Sequence, residues 1–223
     1  MTNQPLAGKI AAVTGGTRGI GRAISERLLV EGARVALCGR KREDAEKAAA
    51  DLRAATRGEV IGVAADVSKL EDVRRFFEAI AQRWGGLDIL VNNAGAGVFG
   101  SVDQLTPEQW HAAIDLNLNG VFYCCHHAFP LMKKRGGGFV VNISSLAGKN
   151  PMAGGSAYNA SKFGLNGFSE AMMMDVRYQN IRVSYVMPGS VDTEFGGHSG
   201  RSDWKIAPED VAEVVAMLLR LPE

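Results

Sequence analysis

The chain has 223 residues, 46% of them hydrophobic and 22% charged; a domain of this size buries roughly 70–75% of the surface that its unfolded form exposes, so it needs no disulfide or structural metal to hold a core. Lys and Arg number 25 against 24 Asp and Glu, which argues against a broad basic field for nucleic acid or an anionic membrane. Cys38, Cys124 and Cys125, two of them adjacent, fit a reducing compartment better than a disulfide scaffold. The first residues carry no apolar signal core and no run approaches the ~20 apolar residues of a membrane span, so a cytoplasmic location is expected. Composition leaves the 27 glycines unexplained.

In chain order, residues 9–14 read as a first buried strand and about 20–31 as a helix. Residues 34–38 follow as a strand, 43–56 as a helix and 60–64 as a third strand. Leu70, Val73, Phe76, Phe77, Ile80 and Trp84 fall at helical spacing. Residues 88–92 form the fourth strand, 107–133 one long helix, 138–144 the fifth strand, 157–179 another long helix, 182–187 the sixth strand and 208–220 a last helix. Parallel strands need crossovers of about a dozen residues, which these helices supply. The expected fold is a single α/β domain over 1–223, a Rossmann-like doubly wound parallel sheet in three α/β/α layers. Ligands of such sheets bind where the strands end, so the residues just after each strand are the ones of interest.

Directly after the first strand comes Thr14-Gly15-Gly16-Thr17-Arg18-Gly19-Ile20-Gly21. Glycine there allows a tight turn and lets backbone amides approach a pyrophosphate at a helix N-terminus. The spacing resembles the short-chain dehydrogenase/reductase family. The likeness extends through Asn92-Asn93-Ala94-Gly95 after the fourth strand, Asn117 in the following helix, Ser145 after the fifth strand, Tyr158 and Lys162 as a Tyr-x-x-x-Lys pair, and Pro188-Gly189 after the sixth strand. Any one of these motifs is weak alone; the ordered set is specific.

The resemblance implies a dinucleotide cofactor held by Gly15, Thr17, Arg18, Gly19, Ile20 and Gly21. The second strand ends in Cys38-Gly39-Arg40, with no acid for the ribose hydroxyls of NAD. Arg40, with Arg18, suits the 2′-phosphate of NADP, so NADP(H) is preferred and NAD(H) is the alternative. Asp66 and Val67 match the family's adenine contact, although Asp66, like Ser68, also suits a helix cap. Asn93, Ala94 and Gly95 resemble the shelf under the adenine ribose. Pro188, Gly189, Val191 and Thr193 resemble the nicotinamide contacts, to which Tyr158 and Lys162 also contribute.

Tyr158 and Lys162, four residues apart on one helix, emerge on one face. The lysine ammonium is expected to lower the tyrosine pKa from about 10 and fit it for acid–base work. In the resembled family Ser145 polarises the substrate carbonyl, with Ser144 the neighbouring alternative, and Asn117 holds a water linked to Lys162. Cys124-Cys125-His126-His127 offers only Cys124 and His127 at a usable helical spacing, and helix packing is favoured over a metal. Ala160, Gly164, Gly167 and Ala171 place small residues along one side of the Tyr158 helix. Helices 107–133 and 157–179 are expected to build a homodimer or homotetramer, as family resemblance implies.

Residues 194–207, with Gly196, Gly197 and Gly200, read as a short substrate lid. The chain stops at Leu221-Pro222-Glu223, before the seventh strand such reductases carry, so that strand is expected to be missing from the chain as given. The set implies an NADPH-dependent reductase of a small-molecule or thioester carbonyl, resembling 3-oxoacyl-thioester reductases. Alternatives are an NAD(P)-dependent secondary-alcohol or sugar dehydrogenase and a non-catalytic dinucleotide sensor.

Overall fold

The computed structural model describes residues 4–195 and 204–221. Strands β1 (Ile10–Val13), β2 (Arg34–Gly39), β3 (Val60–Ala64), β4 (Ile89–Asn92), β5 (Gly138–Ile143) and β6 (Ile181–Val186) form one parallel sheet in the order β3-β2-β1-β4-β5-β6. Helices α1 (Gly19–Val30), α2 (Arg42–Thr56), α3 (Leu70–Trp84), α4 (Pro107–Ile114), α5 (Gly120–Lys134), α6 (Ser156–Val176) and α7 (Pro208–Arg220) connect and cover it. Among the described residues no helix is long and apolar enough to cross a membrane.

Alternation along the strands divides the core in two. Ala11, Val13, Val35, Leu37 and Ile89 face α1, α2 and α7 through Leu28, Leu52 and Val215. Ile10, Ala12, Ala36, Cys38 and Leu90 face α3, α5 and α6 through Phe76, Cys124 and Leu165. Both faces of the sheet are therefore buried, which is why the strands read as nearly unbroken apolar runs. The strand order reverses between β1 and β4, and the crevice at their C-terminal ends is the natural ligand site.

The long helix expected over 107–133 is not continuous. A π-helical turn at Asp115–Asn119 separates α4 from α5, with the Gly120 amide donating to the Asp115 carbonyl five residues back. Such turns insert one extra residue and gather at functional sites, and this one carries Asn117. Residues 196–203, with the glycines of the expected lid, lie outside the described residues.

Candidate active site

The loops after β1 and β4 are stitched together by side chains. The buried Thr14 Oγ1 accepts from the backbone amides of Asn93 and Ala94, both at 3.0 Å. Asn93 Nδ2 returns bonds to the carbonyls of Thr14 at 2.9 Å and Gly15 at 3.2 Å. Gly15 stands at φ +63, and a β-carbon there would lie 2.9 Å from Ala94 Cα. At Gly21 it would lie 2.3 Å from the Gly15 carbonyl oxygen. Only glycine fits either place. Arg18, the N-cap of α1, makes no side-chain capping bond, and the first turn holds no acid. The first-turn amides are thus left for an anion, so this loop fits a dinucleotide pyrophosphate.

At the end of β2 a β-carbon on Gly39 would meet Thr17 Cγ2 at 2.6 Å, so Thr17 backs the strand end from which the exposed Arg40 projects. Arg18 departs from expectation. Instead of standing free beside Arg40 it pairs with Glu194 at 3.0 Å, with 73% and 74% of the two side chains exposed. The reason is the path of the chain after β6. Leu146 N donates to the Pro188 carbonyl at 3.1 Å, and Val191 bridges Ile206. Thr193 then reaches the glycine loop, where a β-carbon on Gly19 would touch its methyl at 3.3 Å. Gly189 lies beside Leu146, and Ile20 is half-buried in the first turn of α1.

Asp66 Oδ1 accepts from the Ser68 amide at 3.1 Å and the Ser68 hydroxyl at 2.7 Å, closing the turn before α3. The N-cap of that helix is Lys69, without a side-chain bond, so neither Asp66 nor Ser68 is the cap itself. Val67 is buried, with its carbonyl against Gly120.

Ser145, Tyr158 and Lys162 meet where β5 ends over α6. Ser145 Oγ accepts from the Ala147 amide at 3.1 Å and stands close enough to the Tyr158 hydroxyl to bear on its titration. Lys162 is 5% exposed, donates through Nζ to the Ile143 carbonyl at 3.0 Å and lies 5.9 Å from the Tyr158 ring centroid. The expected lowering of the tyrosine pKa is not found. Burial raises it, and the Ser145 hydroxyl beside it only tempers the rise. Burial also destabilises the ammonium, drawing the Lys162 pKa down to about 8. Both shifts have one cause, the removal of water from a closed site.

Asn117 is fully buried. Its Oδ1 accepts from the Ala96 amide at 2.9 Å, while Nδ2 donates to the Ala96 carbonyl at 2.9 Å and to Ser161 Oγ at 3.0 Å. The side chain thus ties the loop after β4 to α6. It also belongs to the cluster, because a β-carbon on Gly95 would lie 3.1 Å from Asn117 Oδ1 and 3.8 Å from Lys162 Nζ.

Two asparagines that sequence reasoning passed over brace the Ser145 loop. Asn159 Nδ2 donates to the carbonyls of Ala147 at 2.6 Å and Asn150 at 3.1 Å, and its Oδ1 accepts from the Met152 amide at 3.2 Å. Asn166 Nδ2 donates to the Gly148 carbonyl at 3.0 Å. Spaced seven apart, they share a helix face, and that spacing was the available signal. Two rings were also missed: Phe99 and Phe195 stand 5.4 Å and 5.9 Å from the Tyr158 ring, centroid to centroid.

The Cys124-to-His127 run diverges as its helical positions require. Both cysteines are buried, with Cys125 Sγ accepting from Asn92 Nδ2 at 3.4 Å. Burial pushes both thiols up, Cys125 to about 12. The His127 ring stacks on Phe77, and His126 is exposed. Of the small residues on α6, Gly164 lies against Leu118, while Gly167 is open and Ala171 exposed.

The short chain dehydrogenase family model matches residues 9–203. Dehydrogenase/reductase SDR family member 4 of Oryctolagus cuniculus is 39% identical over 192 residues, 86% of this chain and 74% of that protein. An alcohol dehydrogenase from the archaeon Thermococcus sibiricus, solved as a complex with 5-hydroxy-NADP, is similar at a TM-score of 0.91 and 32% identity, covering 96% of this chain and 91% of that one. A metagenomic short-chain oxidoreductase in complex with NADP gives 0.87 at 39% identity, covering 98% and 93%.

Proposed function

Because the chain belongs to the short-chain dehydrogenase family, we propose that it is an NADPH-dependent reductase converting a ketone or 3-oxoacyl carbonyl to a secondary alcohol, with Tyr158 as proton donor. The observation that carries this reading is a buried phenol set beside Ser145 and the buried Lys162, whose Nζ lies 5.9 Å from its ring. A protonated phenol is what a carbonyl oxygen needs as it gains negative charge.

The cofactor's pyrophosphate is assigned to Gly15, Gly19, Ile20 and Gly21, with Thr17 at the end of β2. Arg40 is assigned to the 2′-phosphate, supported by the lack of an acid at the end of β2 and by the 5-hydroxy-NADP and NADP bound to two of the similar structures. Arg18 joins it only by leaving Glu194. Asp66, Val67, Asn93, Ala94 and Gly95 are assigned to the adenosine side, and Pro188, Gly189, Val191 and Thr193 to the nicotinamide side. Bound NADPH supplies a hydride.

The chain supplies the rest. Ser145 orients and polarises the carbonyl oxygen, and Tyr158 gives that oxygen its proton. Lys162, under the tyrosine ring, favours the phenolate left behind. Asn117 acts at one remove, fixing the loop of Gly95 and Ala96 against the π turn. A homodimer through α4, α5 and α6 is supported by the exposed Trp110, Phe122, Phe163 and Met174 on those helices.

The test is consumption of NADPH and NADH by the purified protein over a panel of ketones, 3-oxoacyl thioesters and, in reverse, alcohols. Turnover of carbonyls with NADPH, lost in Tyr158→Phe, is expected. Tight NADPH binding without turnover of any panel member would replace the reductase with a sensor.

A further inference from the structure

We infer that Phe99 and Phe195 form an aromatic slot above Tyr158 that selects ketones carrying a flat aryl group near the carbonyl. The inference rests on the reductase reading and adds the substrate class. The two rings come from chain segments nearly a hundred residues apart and converge on one ring, tilted 56° and 52° to it. Although they touch the catalytic tyrosine, they remain 50% and 45% exposed. Buried apolar surface is the ordinary fate of phenylalanine; two half-open rings beside a reacting hydroxyl offer that surface to a ligand.

The Phe99 side of the slot is tied to the body of the protein. The Gly100 amide donates to the Gly154 carbonyl at 2.7 Å, tying the Phe99 loop to the start of α6. The Phe195 amide donates to Thr193 Oγ1 at 3.3 Å. Gly97 lies beneath both rings, where a β-carbon would come within 2.5 Å of Phe99 Cε2 and 3.1 Å of Phe195 Cε1. The rings can come together only because residue 97 has no side chain. Leu146 and Met152, on the loop after Ser145, are likewise half-exposed. Such walls give a polyhydroxylated substrate no hydrogen-bond partners and leave its hydroxyls unpaired, whereas an aryl ring meets offset and edge-on surfaces suited to it.

The test compares benzyl methyl ketone with cyclohexylmethyl methyl ketone, alike in size and hydrophobicity and with a methylene insulating the carbonyl from the ring in both, so that they differ in flatness and not in electrophilicity. The protein as it stands is expected to favour the benzyl ketone in kcat/KM by about tenfold, through KM, since each aromatic pair adds a few-fold. Phe99→Leu and Phe195→Leu each lower that ratio, and the double variant brings it near one. Phe99→Tyr, which keeps the ring, preserves it, and Gly97→Ala, which displaces both rings, reduces it. Reduction of both ketones at equal kcat/KM, or a preference unchanged in the leucine variants, would overturn the slot while leaving the reductase intact. If neither ketone nor any other carbonyl or alcohol is turned over while NADPH binds, the reductase reading itself falls and takes the slot with it.

Discussion

The Ser144 hydroxyl donates to Asn166 Oδ1 at 2.6 Å inside the protein, and this bond settles which of two adjacent serines is free for the cleft. With Ser144 turned inward, Ser145 is left half-buried at the surface of the site, beside Tyr158. Ser145→Ala is therefore expected to lower turnover by about 10²–10³-fold, the scale of losing one aligned donor at a developing oxyanion, with little change in thermal stability. Ser144→Ala should do the reverse, costing about 1–3 kcal/mol by leaving Asn166 without its donor while turnover stays measurable. Steady-state kinetics and denaturant unfolding on both variants check the division.

Tyr158→Phe should reduce ketone turnover by about 10²–10⁴-fold, the usual contribution of a placed general acid, and leave the NADPH dissociation constant within a few-fold. Fluorescence titration of the cofactor alongside the rate separates the two. A variant that binds NADPH and keeps near-normal turnover would remove Tyr158 from the acid role.

Lys162 makes a prediction about pH. Its folded pKa is drawn down to about 8 by burial, from an ordinary value of 10.5. Between those values the unfolded chain holds a proton that the folded chain has lost, so unfolding free energy rises with pH across that window and the penalty of the buried charge is fully present below it. The contribution amounts to roughly 3 kcal/mol. Lys162→Met is expected to gain on the wild-type protein below pH 8 and to lose that advantage progressively by pH 10. Chemical unfolding of both at pH 7, 8, 9 and 10 tracks the difference.

Arg40 and Arg18 should separate when cofactors are compared. Arg40→Ala is expected to weaken NADPH about tenfold or more, the scale of a charge-assisted bond, and to leave NADH nearly unchanged. Glu194→Gln frees Arg18 from its pair and should tighten NADPH by no more than about fivefold, because an exposed ion pair is worth at most about 1 kcal/mol. Titrations with both cofactors at one fixed salt concentration decide it.

For the subunit contact, sedimentation of the wild-type protein at micromolar concentration should give a dimer or tetramer. Phe122→Glu, at an exposed ring on α5 that meets Phe168 of α6 edge-on, should shift it toward monomer.

Much of the molecule was legible in its residues. Every strand was visible because the sheet is covered on both faces, and α3 was visible because its apolar positions repeat at helical spacing. The motif positions landed together because strand ends share one edge of a parallel sheet. Other features depend on relationships that no local pattern carries. Five residues are too few for a π turn to differ from an α-helix in periodicity, so 107–133 read as one helix. Arg18 and Glu194 are 176 residues apart. The direction of the Tyr158 shift comes from burial, which spacing cannot report; spacing predicts only the lysine next door.

The π turn at Asp115–Asn119 also governs how the chain tolerates change. A residue added to a regular helix rotates the remainder by about 100°, whereas the wider π turn takes up its extra residue locally, so Asn117 is brought to Ala96 while α5 keeps its face to the sheet. Val121, Cys124, Ala128 and Leu131 are buried on that face. Deleting one residue of the turn would close it to a regular helical turn and leave those four on the core, while drawing Asn117 away from Ala96. The turn thus lets the site gain its asparagine without disturbing the core behind it, and the two can change independently.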